Sequence, residues 1–211
     1  MAHLRGGSLG QRVRYGLVGL EDKDLEQQAT WGLRSIIGQS KSAKDVKSII
    51  KDLLTGLDSA SASARRHRYL LTGYAVEGCP AETVPHIVPL VMSKVNRQLG
   101  EEKQQPVIQA VVQMVEQSVE RLMLRMVEVM DGETDGSSEF SNEWLTNTLV
   151  QGLIRAAAKS PDKNKVVMAF AVLHGVLSAL RDWTHVPGVV PTVLYCFKHV
   201  VQAMLQGELL S

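Results

Sequence analysis

The sequence predicts an all-α protein of two helical subdomains, about eight helices in total, joined by a polar linker. Three observations carry this expectation. Apolar residues recur at spacings of three and four through almost every segment. Runs that alternate β-branched with polar residues, the mark of strands, are absent. One stretch, "DGETDGSSEFSNE" at 131–143, replaces the apolar period with acidic, Gly and Ser residues that have nothing to bury. At 211 residues and 45% hydrophobic, the chain is long enough for one sizeable domain or two small helical ones.

The helices predicted in order are 24–37, 42–57, 62–77, 82–99, 104–130, 141–158, 163–182 and 188–206. The second shows the signal well: Val46, Ile49, Ile50, Leu53, Leu54 and Leu57 fall on one stripe, Ser42 can cap its start, and Gly56 marks its end. The fifth, 104–130, is the longest and tolerates Pro106 because its first turn needs no amide donor there. Its near-continuous apolar character implies a central, mostly buried helix. Its methionines, Met114, Met123, Met126 and Met130, read as core filler rather than a partner groove. The resulting division is an N-terminal helical domain at 1–130, a linker at 131–143 and a C-terminal helical domain at 144–211. No fixed internal period of repeat type emerges, since helix lengths and turn residues differ throughout.

The longest uncharged run, "VVMAFAVLHGVLSAL", has 15 residues between Lys165 and Arg181, short of the roughly 20 that a spanning helix needs. It reads as a core helix. The opening "MAHLRGGSLGQRVRYGLVGL" is interrupted by arginines and glycines and lacks the apolar centre of a secretory leader. Two cysteines, Cys79 and Cys196, are too few for a disulfide framework and are expected as buried thiols in a reducing compartment.

The net charge of +1 conceals an asymmetry. Residues 1–100 hold 14 Lys and Arg against 9 Asp and Glu, a balance of +5, whereas residues 101–211 hold 9 against 13, a balance of −4. A polyanion should therefore meet the first half. Two clusters stand out there. Lys44, Lys47 and Lys51 recur at spacings of three and four and project from one helical face, opposite Ile49, Leu53 and Leu57. Next, "ARRHR" places Arg65, Arg66 and Arg68 at the start of the third helix. All six cations are expected on solvent faces of one helical hairpin, a surface that suits lipid headgroups or a nucleic-acid backbone. Only Tyr69 and Tyr74 lie near, too few for a stacking platform on single strands.

No catalytic constellation emerges, so the chain reads as non-enzymatic, with no cofactor and no metal. A glycine-rich phosphate loop, a GxSxG elbow and an HExxH helix are all missing. Cys196 and His199 have a helical spacing, but His174 and His185 do not supply the second close pair that zinc sites bring. His86, between Val84-Pro85 and Ile87-Val88, reads as a core or turn histidine.

"DLEQQATWGLRSI", followed about thirty residues later by "ARRHRYLLTGYAVEG", resembles the amino-terminal domain of orthomyxovirus (influenza-type) matrix proteins. The matching elements are Asp24, Leu25, Glu26 and Trp31, then Arg65, Arg66, Arg68, Tyr69 and Gly73, and they cover about a quarter of the chain. The family's second basic helix is represented only by Lys94 and Arg97 in "MSKVNRQL", and its Cys and His cluster has no clear counterpart. The resemblance implies an all-helical viral structural protein that self-associates into a lattice beneath the envelope. It also implies anionic-membrane binding through the basic surface, contact with the ribonucleoprotein or RNA, and a place in the virion, the host cytoplasm, the inner face of the plasma membrane and, as a further option, the nucleus. The alternative reading is a cytoplasmic adaptor of HEAT or armadillo type.

Overall fold

The structure is a computed structural model that describes residues 7–99, 102–131 and individual positions between 171 and 202. Every described element is helical. In order, α1 spans Leu9–Gly19, α2 Glu26–Gln39, α3 Ala43–Leu53, α4 Ala62–Glu77, α5 Val84–Leu99 and α6 Gln105–Asp131, with short 3₁₀ turns at Leu57–Ser59 and Ala81–Thr83. The chain divides into two compact units, one formed by 1–83 and 102–114, the other by 84–101 and 115–211. The predicted linker at 131–143 begins at the last residue of α6 and otherwise lies outside the described residues, as do the helix predicted at 141–158 and most of those at 163–182 and 188–206.

In the first unit, three helix starts have a local reason. Serines cap α1, α3 and α4: the hydroxyl oxygens of Ser8, Ser42 and Ser61 accept from the backbone N–H groups of Gln11, Asp45 and Ala64 at 3.4, 3.1 and 3.2 Å. At α1 the arrangement is reciprocal, because the Ser8 amide donates to Gln11 Oε1 at 2.9 Å, which completes a capping box. This helix is missing from the sequence expectation. Its signals were the Ser8–Gln11 pair and the spacing of Val13, Leu17 and Leu20, all buried; the surrounding glycines masked them.

Packing then closes the four helices into a ring in which α1 lies against α2 and α3, and α4 lies against the same two. The apolar stripe of α3 faces inward, with Ile50 and Leu53 fully buried; burial of aliphatic side chains of this kind stabilises by about 1.5–3 kcal/mol each. Helix α3 ends at Leu53, three residues before Gly56. That glycine adopts φ +70°, a left-handed conformation that a residue with a Cβ enters only at a cost of about 1–2 kcal/mol, and it turns the chain toward α4.

Two glycines of α1 set its distance from α2. A Cβ at Gly16 would fall 2.6 Å from the Leu33 side chain, and one at Gly19 would fall 2.9 Å from the Ala29 Cβ. Their absence lets the two backbones approach more closely than side-chain packing would allow.

In the second unit, the buried side chains come from α5 (Val84, Ile87, Val88, Val91), from the second part of α6 (Val115, Val119, Leu122) and from the helical positions Ala171, Val172 and Val176. Gly175 is the close approach here, since its Cβ would lie 2.8 Å from the Glu116 carbonyl oxygen. Met123 is buried here, as Met114 is in the first unit, while the side chains of Met126 and Met130 lie outside what the structure describes. His86, expected in the core or a turn, is instead exposed on α5. No helix among the described residues is long and apolar enough to cross a membrane.

Candidate functional site

The basic residues of α3 and α4 have opposite fates. Lys44, Lys47 and Lys51 are exposed on α3, while Val46, Ile49, Ile50 and Leu53 on its other side are buried. At about 100° per residue, Asp45 and Asp52 fall roughly a quarter turn off the lysine face and are half-buried, so they do not interrupt it.

On α4 the expectation of six solvent-facing cations is corrected. Arg68 is only 8% exposed; its Nη1 donates to the Thr55 carbonyl at 2.9 Å and its Nη2 lies 3.8 Å from Glu21 Oε1. Arg65 makes a two-point contact with Glu102, Nε to Oε2 at 2.8 Å and Nη2 to Oε1 at 3.1 Å, and its Nη1 donates to the Ala60 carbonyl at 2.6 Å. Both guanidinium groups therefore donate to carbonyls of the segment between α3 and α4, which lie outside either helix and have no intrahelical donor. Only Arg66 of the three is exposed.

The physical reason is electrostatic. Cations in the first turns of a helix add to the positive end of its dipole, and this chain supplies the compensation itself with three carboxylates. Glu21, just after α1, accepts from the Ser61 amide at 3.0 Å. Glu26, the first residue of α2, accepts from the Ser63 hydroxyl and lies 2.7 Å from His67 Nδ1. The same His67 nitrogen is 3.0 Å from the Ser63 carbonyl; with two acceptors facing it, Nδ1 carries a proton. Glu102 stands before α6 and also accepts from the amides of Lys103 and Gln104 at 3.1 and 3.0 Å.

Burial raises the pKa of the Glu102 carboxyl, but the hydrogen bonds from Arg65 and the Gln104 amide, with the Arg65 charge, outweigh it and hold the group below its ordinary value. Burial lowers the Arg68 guanidinium, with the Glu21 charge opposing. Burial also raises the Tyr69 hydroxyl, reinforced by the charge of Glu102. Nothing in the sequence marked the three acids as partners of "RRHR", because the three pairs are 37 to 47 residues apart along the chain, far beyond the three or four that a helix turn connects.

Elsewhere, His174 Nδ1 is 3.4 Å from Glu116 Oε1, while His185, Cys196 and His199 lie outside the described residues. No group of three or more His, Cys, Asp or Glu among the described residues could hold a metal ion. Cys79 is buried. Lys94 is exposed on α5, and the Arg97 side chain lies outside what the structure describes. In comparison with known proteins, the chain matches no family model, and neither its sequence nor its structure has a significant match among curated proteins or solved structures.

Proposed function

We propose that this chain is a non-enzymatic shell protein of the orthomyxovirus matrix type that attaches to anionic membrane through the α3 lysines. The observation that carries the reading is the exposed row Lys44, Lys47 and Lys51 on a helix whose opposite face is fully buried. Lysine ammonium groups are hydrated point charges on flexible stems, suited to a diffuse anionic surface more than to a shaped phosphate pocket. Each contributes about 1 kcal/mol near an anionic leaflet, so one copy with three lysines holds on weakly, by about 3 kcal/mol. Linked copies multiply that attachment by avidity. Arg66 is a further exposed cation, whereas Arg65 and Arg68 serve the fold.

Flotation with vesicles of zwitterionic lipid, with and without phosphatidylserine, tests this. The parent should float only with the anionic vesicles, and the combined Lys44→Gln, Lys47→Gln, Lys51→Gln variant should remain at the bottom of the gradient. A parent that stays at the bottom with both vesicle types ends the reading.

A further inference from the structure

Among the described residues of the first unit, the large exposed apolar side chains gather on α1, α2 and the turn between them, with the exception of Tyr74 on α4, whose ring Arg34 covers. Tyr15 is 63% exposed, Val18 71%, Leu25 47% and Trp31 64%. Tyr15, Leu25 and Trp31 wall a groove of about 450 Å³ whose floor includes Gly16 and Gly19, the residues that bring the two helices together. The groove's polar lining is limited to Gln28 and Ser35. Charged residues that precede or follow the lining in sequence and are exposed include Arg14, Lys23 and Arg34 of one sign and Asp22 and Asp24 of the other, a near balance that gives an anionic lipid surface little reason to settle here.

We propose that this face is a self-association surface on which a second copy of the chain docks, Trp31 of each copy seating in the groove of the other. A two-fold contact requires one patch to be complementary to itself. This patch carries a projecting indole and a groove of sufficient volume side by side, and its rim carries both charge signs. Side chains of these sizes and exposures present on the order of 500 Å² per copy. Two copies would then bury about 1,000 Å², the lower bound for a specific interface, so the dimer is weak and reversible. Aromatic anchors such as Trp31 dominate contacts of this kind. The inference deepens the shell reading by naming a contact between copies, and it is decided in solution, where no membrane is present.

Sedimentation velocity of the full chain without lipid, across a wide concentration range, is the test. The parent should pass reversibly from monomer to dimer as concentration rises. Trp31→Ser should weaken the dimer by about tenfold or more while keeping the parent's helical circular dichroism and melting temperature, and Trp31→Phe should recover part of the loss. Gln28→Arg, at an exposed groove position, sets like charges against each other across the two-fold axis and should weaken the dimer as well. A parent that stays monomeric throughout overturns the proposal, as does a folded Trp31→Ser or Gln28→Arg protein that dimerises as tightly as the parent. A monomeric parent whose vesicle flotation drops on Trp31→Ser overturns it in favour of lipid. Loss of flotation in the lysine variant leaves this dimer untouched, so the two proposals fail separately.

Discussion

The guanidinium of Arg65 and the carboxylate of Glu102 meet at two points, 2.8 and 3.1 Å apart, and tie the first turn of α4 to the segment that enters α6. Two parallel charge-assisted bonds in a partly buried setting are stronger than a surface ion pair. Both side chains are mostly shielded, at 21% and 10% exposure. Replacing Arg65 with Gln leaves the acid and the Ala60 carbonyl short of donors and should cost about 1–3 kcal/mol in urea denaturation. A double-mutant cycle with Glu102→Gln should show a coupling energy well above that of an exposed pair.

Acid should weaken the same contact. Because Glu102 is held below its ordinary pKa in the folded chain, its contribution is fully present above the ordinary carboxylate range and is lost as pH falls through the lowered value. Stability should therefore drop as pH falls below about 4. The Arg65→Gln protein, which has already lost the interaction, should lose less over that window than the parent does. Equal losses in the two proteins would assign the acid sensitivity to other carboxylates.

The three arginines of "RRHR" should separate in stability. Arg68→Gln removes the donor to the Thr55 carbonyl and the partner of Glu21 from a buried position and should cost about 1–3 kcal/mol. Arg66→Gln, at an exposed position, should stay within about 0.5 kcal/mol of the parent. Thermal melts of the two single variants provide the check, and a reversed order would contradict the placement of the side chains.

Two glycines of α1 offer an opposed pair. At Gly16 an added Cβ meets Leu33 at 2.6 Å, whereas at Gly10 nothing lies within 4 Å. Gly16→Ala should destabilise by about 1–3 kcal/mol through overpacking, and Gly10→Ala should stabilise by up to about 1 kcal/mol through helix propensity. Gly16→Ala should also disturb the floor of the groove, so its oligomeric state deserves the same sedimentation measurement.

Membrane attachment through the lysine face should fade with salt. The charges involved are solvated, and the Debye length shrinks from about 8 Å at physiological ionic strength to about 3 Å at 1 M. Flotation with anionic vesicles should therefore fall steeply as salt is raised. Attachment that persists at high salt would show that apolar insertion drives it.

Local information in the sequence was enough for the helical class, for the span of α4 and, within a few residues, for α2, α3, α5 and α6. Periodicity, serine caps and Gly56 act over a turn or two of chain, and the stripe of α3 shows which side is buried before any partner is known. The exposure of Lys44, Lys47 and Lys51 followed from that stripe for the same reason. Helix α1 was equally local in origin and was hidden only by glycines that tertiary packing needs at Gly16 and Gly19. The roles of Arg65 and Arg68 were decided by tertiary structure alone. A cation before an apolar run looks solvated until the fold brings Glu21 and Glu102 to it from distant parts of the chain, and no local spacing encodes that meeting. The groove beside Trp31 is likewise a product of how closely two helices approach, and that distance exists only once they have packed.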